Sequence, residues 1–369
     1  MDRRHFLLSS AAAAHASFAQ TGPNDKVATA MIGTGNRGSY VLRGILEQPN
    51  AKVVALCDIK PDRLDKAATI AARDNPTTYR EWRKIIERKD IDAVFIATPP
   101  HLHAEMAIAA LKAGKHVYCE KPIGVTPASI RELVKVAQAS NKVFVTGQQM
   151  RSFRQVGQAV EKIRNGAIGD ILMVKAQRHA AADLAHDGSS ADWYFNFSKS
   201  GGYLIEQSVH NLDACNWVIG DHPIRASGFG GTVLYKNDPP GRDIMDSCTL
   251  SFEYPRGIHM SFTQLVFHPR GLPAGNQYIF VYGSKGAVDL LNGAMFYPRE
   301  GGKQPEPLAP KQEEPPHAHV TAFYDCILKG TRSPADVVVG ATAALTSILA
   351  HEACVSRKVV EWSDFRINL

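Results

Sequence analysis

Residues 33 to 38 read Gly33, Thr34, Gly35, Asn36, Arg37 and Gly38, and Asp58 follows twenty positions after the last glycine. A Gly-x-Gly-x-x-Gly run placed where a strand turns into a helix is a phosphate cradle. The first glycine permits the tight turn, the second lets backbone approach a pyrophosphate, and the third lets the helix pack on the strand with its N-terminus facing the anion. A carboxylate at the end of the next apolar strand accepts hydrogen bonds from adenine ribose hydroxyls and repels a 2′-phosphate. The combination points to NAD, while Lys60 and Arg63 beside Asp58 leave NADP open.

Two further segments carry reactive side chains. Thr98-Pro99-Pro100-His101-Leu102-His103 and Cys119-Glu120-Lys121-Pro122 each follow an apolar run. In an open parallel sheet the carboxyl ends of strands line the ligand crevice, so Thr98, Pro99, His103 and Glu120 are expected to flank a dinucleotide. Lys121 is then placed to hydrogen-bond a reacting hydroxyl, although a lysine considered alone is by default a surface residue. The third segment is Glu206-Gln207-Ser208-Val209-His210-Asn211-Leu212-Asp213. A helix starting at Glu206 puts Glu206, His210 and Asp213 on one face. A histidine there suits general base work, because its pKa lies near physiological pH. Glu-x-x-x-His also offers two metal ligands, but no third appears at a recognisable spacing, so no metal is expected.

The elements that must position these residues can be read from periodicity. Strands are predicted over Val27 to Ile32, Lys52 to Cys57, Ala93 to Ala97, His116 to Cys119 and Lys142 to Thr146, with helical patterns between them, which is the signature of a parallel sheet with crossover helices. Beyond Gly147 come helices over Phe153 to Asn165 and about Glu206 to Ile219. Strands then dominate from Ile224 to Leu290, separated by Gly, Pro and Asn, which suggests a mostly antiparallel sheet. Helices near His317 to Leu328 and Gly340 to Val355 close the chain. The expected fold is α/β: a doubly wound Rossmann domain over 26–147 and a second α/β domain over 148–369 with a large, mostly antiparallel open sheet, for substrate binding and oligomerisation.

Composition excludes several classes. With 44% apolar and 21% charged residues in 369, the chain can bury a large core without staples, and its six cysteines are scattered without a Cys-x-x-Cys pair. The formal charge of +6 comes from dispersed Lys and Arg, so no nucleic acid partner is expected. No apolar run reaches the roughly 18 residues that span a bilayer, so membrane insertion is not expected either. Residues 1–19 read differently: Arg3-Arg4 precedes Phe6-Leu7-Leu8, an alanine stretch and the small-x-small site Ser17-Phe18-Ala19. That is the form of a twin-arginine leader, which implies the twin-arginine (Tat) export machinery as a partner and a periplasmic destination.

Taken together, these motifs resemble the glucose-fructose oxidoreductase, inositol dehydrogenase and rhizopine catabolism family, Gfo/Idh/MocA. The likeness rests on Gly33 to Gly38, Thr98 to His103, Ala113 to Val117 leading into Glu120-Lys121-Pro122, Gly166-x-x-Gly169, Gly201-Gly202 through Asp213, and Tyr282 to Gly286. Within the family it is similar to the exported branch. The resemblance implies a second domain whose outer sheet face forms a homodimer or homotetramer. It also implies that Lys121 contacts nicotinamide and substrate, that His210 is the acid/base, and that Arg151, Arg178, His179, Trp193, Tyr194 and Asp213 lie where substrate contacts gather. Glu206 stands where dehydrogenases of the family more often have aspartate, and Ser208 replaces a frequent glycine.

The reading that follows is hydride transfer between a secondary alcohol of a sugar, glycoside or polyol and a tightly bound nicotinamide cofactor. His210 takes the proton, Lys121 polarises the oxygen, and Glu206 holds His210 or a neighbouring hydroxyl. Two alternatives stay open. One is a redox-neutral glycoside hydrolase or lyase working through a transient keto-sugar; the other is a non-catalytic dinucleotide-binding protein.

Overall fold

A computed structural model of the chain describes residues 26–182, 191–272, 275–367 and 369. The leader read at 1–19 lies outside the described residues. Six short strands, β1 (Val27–Ile32), β2 (Ala51–Cys57), β3 (Thr77–Tyr79), β4 (Ala93–Ile96), β5 (His116–Cys119) and β6 (Phe144–Thr146), form one parallel sheet in the order β3-β2-β1-β4-β5-β6. Helices cover both faces, which is why β1 and β4 are almost continuously apolar and buried. The order reverses between β1 and β4, so a crevice opens at their carboxyl ends. The edge strand β3 has the sequence Thr-Thr-Tyr, largely exposed, and carries no apolar run from which periodicity could be read.

The second sheet has nine strands: β7 (Ile171–His179), β8 (Arg225–Gly231), β9 (Ser247–Glu253), β10 (His259–Leu265), β11 (Gln277–Gly283), β12 (Gly286–Asp289), β13 (Met295–Pro298), β14 (Glu306–Pro307) and β15 (Val360–Glu361). Their order is β14-β13-β12-β11-β7-β10-β9-β8-β15. Among the described residues, only β7 and β10 of this sheet pair in parallel; the other neighbours are antiparallel. Strict alternation in β9 and β10 sends Leu250, Phe252, Met260 and Phe262 into the core. The opposite face carries Phe229, 72% exposed, with Tyr282 and Tyr297.

Two C-terminal helices depart from the sequence expectation. Helix Ala318–Lys329 follows the second sheet in the chain but packs Val320, Phe323 and Tyr324 into the core of the first, against Phe95 and Tyr118. Its Tyr324 hydroxyl meets Thr29 Oγ1 in β1 at 2.8 Å. Helix Val337–Ser356 is long and apolar enough to cross a bilayer by length and composition, contrary to the expectation that no such run exists. Most of it is buried instead, against β8, helix Val209–Ile219 and helix Pro127–Gln138, and it is apolar all round because it is enclosed.

Candidate active site

The crevice at the carboxyl end of the first sheet encloses about 510 Å³ and is lined by Gly33, Gly35, Asn36, Arg37 and Asp58, with Thr98, Pro99, His103, Glu120 and Lys121. Gly33 sits at φ +85°, and a Cβ there would stand 2.5 Å from the Ala97 carbonyl oxygen, so the turn excludes every other side chain. Helix Asn36–Glu47 begins directly after it. Asp58 is buried at the end of β2, where Oδ2 accepts from Thr34 N at 2.7 Å and Thr34 Oγ1 at 3.1 Å, and Oδ1 accepts from Lys60 N at 2.9 Å. A carboxylate has about four acceptor sites, so Asp58 is fixed by the cradle and keeps capacity for a ribose hydroxyl. These residues fit a dinucleotide, with the cradle on the pyrophosphate and Asp58 on the adenosine ribose. The segment Ala191–Tyr194 brings Asp192, Trp193 and Tyr194 to the same crevice, and Asp192 Oδ2 meets Lys60 Nζ at 2.9 Å.

A second cavity of about 480 Å³ opens beside the first. Arg37, Lys121, Glu206 and Gln207 line both, and His210 lines the second. Lys121 Nζ donates to Glu206 Oε1 at 2.6 Å and to the Glu206 carbonyl oxygen at 2.5 Å. The ammonium is therefore clamped by a carboxylate and is equipped to donate. His210 Nδ1 lies 3.0 Å from Gln148 Oε1. An amide oxygen only accepts, so Nδ1 carries the hydrogen and Nε2 keeps its lone pair. Burial, then the charges of Lys121, Arg178 and Arg37, push the His210 pKa well below the ordinary histidine value. A neutral imidazole of fixed tautomer next to a clamped ammonium can remove and stabilise a hydroxyl proton.

The expectation of one helical face through Glu206, His210 and Asp213 is corrected. The short helix Gly202–Glu206 ends at Gln207 (φ −111°, ψ −49°), and Val209–Ile219 begins a new one. Glu206 accordingly turns to Lys121 and to the Gln207 amide rather than to His210. Asp213 is enclosed behind the cavity, gripped by Arg151 Nε at 2.9 Å and Nη2 at 2.9 Å. Burial outweighs that contact and holds its carboxyl above the usual range. Arg151 lies over the Trp217 ring, and neither residue of this pair lines the cavity that holds Lys121 and His210. His179 pairs with His268 at 3.3 Å and Thr263 at 3.0 Å, outside both cavities. His103 is buried between the two loops, its ring nitrogens 2.6 Å from the Pro122 carbonyl and 2.7 Å from that of Thr98; burial lowers its pKa, so the neutral ring donates to one of the two.

Arg37 and Glu120 form a third tie. Arg37 Nε donates to Glu120 Oε1 at 2.8 Å and Nη2 to Gln149 Oε1 at 2.9 Å. Burial opposes the Glu120 charge, yet Arg37, His319 and Lys121 hold its carboxyl below the usual range. Gly147 makes room for it, since a Cβ there would stand 2.5 Å from Glu120 Oε2. Gln148 and Gln207 had no part in the sequence reading. Gln148 follows the carboxyl end of β6, and the rule that flagged Thr98 and Lys121 applies equally there.

The comparisons with known proteins agree with this layout. A model of the oxidoreductase family with NAD-binding Rossmann fold, GFO_IDH_MocA, matches residues 27–148, and the GFO/IDH/MocA C-terminal domain matches 156–289. The chain belongs to the GFO/IDH/MocA oxidoreductase family, and its first domain is an NAD-binding Rossmann domain. Over 200 residues it is 35% identical to a glycosyl hydrolase family 109 protein of Stenotrophomonas maltophilia, covering 51% of this chain and 43% of that protein. It is 30% identical to levoglucosan dehydrogenase of Pseudarthrobacter phenanthrenivorans, covering 65% of this chain and 64% of that protein. Each of these two matches takes in less than two thirds of the relative's length. A solved structure of levoglucosan dehydrogenase in complex with NADH and levoglucosan shares the fold, with a TM-score of 0.77 at 22% identity over 91% of this chain and 99% of that one.

Proposed function

We propose that the protein oxidises a secondary alcohol of a sugar, glycoside or cyclic polyol where its two cavities meet. The observation that carries this reading is that Lys121 and Glu206 line both the dinucleotide crevice and the cavity holding His210. NAD bound along the crevice supplies a nicotinamide ring as hydride acceptor. His210 Nε2 takes the hydroxyl proton while Lys121 Nζ donates to the same oxygen as its bond to carbon becomes a carbonyl. Glu206 keeps Lys121 aimed, and Gln148 keeps the base in the productive tautomer. Arg37, Glu120 and His103 hold the loops in register.

A second reading, redox-neutral cleavage through a transient ketone, is favoured by the likeness to the glycosyl hydrolase family 109 protein. It shares the first step: oxidation acidifies the neighbouring C–H, a group is eliminated and the hydride returns. Incubating the protein with a panel of sugars, cyclic polyols and glycosides, with absorbance at 340 nm and product masses followed together, separates the two. Keto products with lasting absorbance support net oxidation, and cleaved aglycones without it support the second reading. Neither product from any compound would overturn both.

The proposal extends to place and assembly. The Arg3-Arg4 leader, with its Ser17-Phe18-Ala19 site, supports twin-arginine export to the periplasm of a protein carrying its own NAD. Phe229, Tyr282 and Tyr297 on the open sheet face, with Tyr278 stacked on Phe280 at 4.4 Å, support self-association there as a homodimer or homotetramer.

A further inference from the structure

Four cationic side chains surround the catalytic end of the second domain, and three have a carboxylate partner: Lys121 on Glu206, Arg37 on Glu120 and Arg151 on Asp213. The fourth is Arg178, at the end of β7, which lines the cavity together with Lys121, Glu206 and His210. Its Nη1 donates to Gln277 Oε1 at 2.6 Å and Asn211 Oδ1 at 3.4 Å, and its Nη2 donates to Gln207 Oε1 at 3.0 Å. All three acceptors are neutral amides. The Arg178 Nε–H is buried and finds no acceptor, and no carboxylate pairs with Arg178 among the described residues.

Enclosing a charge is costly unless it is paired, and amides alone do not neutralise it. A guanidinium has five N–H donors in a rigid fork that matches a planar carboxylate. Here three amides from β11, from helix Val209–Ile219 and from the turn before it hold that fork in place. Gln207 also bonds to Glu206, which in turn holds Lys121, so the fork is tied to the reacting end of the cavity. The cavity wall therefore presents Arg37, Lys121 and Arg178 against the single carboxylate of Glu206. With Arg37 neutralised by Glu120 from the neighbouring crevice and Lys121 by Glu206, the excess is one positive charge, that of Arg178, which suits a singly charged carboxylate better than a phosphate.

We propose that the substrate is a sugar acid or its glycoside, with its carboxylate held by Arg178 while a ring hydroxyl is presented to Lys121 and His210. This rests on the oxidoreductase reading for the ring hydroxyl but not for the anion contact.

The test measures binding to the protein as purified, by ligand-observed saturation-transfer NMR and thermal shift. The probes are glucuronate, galacturonate, mannuronate and iduronate, each beside its methyl ester, its parent hexose and the hexose 6-phosphate. At least one acid should bind tenfold or more tightly than its ester. The preference should shrink as NaCl is raised, disappear in Arg178→Gln and survive in part in Arg178→Lys, which keeps the charge without the fork. The native acid-to-ester comparison stands even if a variant misfolds. Equal binding of acids and esters, no binding of any acid, a stronger preference for the 6-phosphate, or an undiminished preference in a folded Arg178→Gln protein would each overturn the carboxylate assignment. Cofactor absorbance is read in parallel. An Arg178-dependent acid preference with no ketone or cleavage product would sink the oxidoreductase reading and leave the anion site. Neutral sugars turned over with no acid advantage would do the reverse.

Discussion

Lys121–Glu206 and Arg151–Asp213 are both largely buried cation–carboxylate pairs with one member near His210 in the chain, yet they serve opposite ends. In the first, both side chains are 11% exposed and face the cavity; in the second, Asp213 is 1% exposed and its pair lies outside it. The first pair leaves an ammonium with one hydrogen to offer where a substrate can reach. The second has Asp213 accepting from Arg151 Nε and Nη2, and it pins helix Val209–Ile219 to the segment before helix Arg154–Arg164. Both pairs join one basic and one acidic side chain, so it is access to the cavity that separates chemistry from scaffold.

The largest effects that sharpen this contrast fall on the first pair and its neighbour. Lys121→Met and His210→Ala should each lower turnover by roughly 10²–10⁴-fold, the scale of a positioned acid/base group, while the nucleotide released by acid precipitation stays at the wild-type amount. Near-normal turnover in both would break the assignment. Arg151→Met should do the converse. Leaving Asp213 charged and alone costs about 3–5 kcal/mol of stability, read as a lower denaturation midpoint, with turnover of the folded protein close to wild type. A turnover loss matching that of Lys121→Met would place Arg151 in the site after all.

Smaller effects test the parts that hold the cofactor and the base. Asp58→Ala removes hydrogen bonds from a charged acceptor, each worth about 1.5–3 kcal/mol, so NAD affinity should fall about tenfold or more and its advantage over NADP should narrow. Titration of both nucleotides into the apoprotein measures this. Gln148→Leu frees the His210 ring to take either tautomer, and the loss of one neutral hydrogen bond of about 1 kcal/mol should reduce kcat on the order of tenfold or less. A loss as large as that of His210→Ala would mean that Gln148 itself touches the substrate.

Acid stability follows from the buried histidines. Burial pulls His116, His319 and His351 down to about 4, while unfolded histidine titrates near its ordinary value. Between those pH values the unfolded chain binds more protons than the folded one. The stability these groups contribute is therefore complete above about pH 6.5 and is lost as pH falls towards 4. Calorimetry should find Tm lower at pH 5 than at pH 7 by on the order of 5 °C. A Tm that is flat over this range would show these rings to be more accessible than the fold makes them.

The first sheet and its cradle were legible because each signal is local: Gly33 to Gly38 and Asp58 act within one strand–helix–strand unit, and buried parallel strands announce themselves as apolar runs. β3 escaped because an exposed edge strand has no apolar period. The second cavity was legible only in part. His210 and Lys121 stood out by type and Arg178 through the family likeness, but Gln148 and Gln207 did not, because an amide carries no signal until its partner is known. Asp213 was misplaced because periodicity assumed an unbroken helix through Ser208. The helix near Gly340 to Val355 was legible, but its full length and apolarity over Val337–Ser356 were not, because its apolar character is spread over alanines.

The central claim is that a hydride passes between substrate carbon and bound nucleotide in the space shared by Lys121 and His210. It is tested most directly by incubating the purified protein with a mixture of perdeuterated sugars and sugar acids, then releasing the nucleotide and determining its mass. Deuterium on the nicotinamide, present with the wild-type protein and absent with His210→Ala, is the result this account predicts. A nucleotide that never acquires deuterium, while product is still formed, would contradict it.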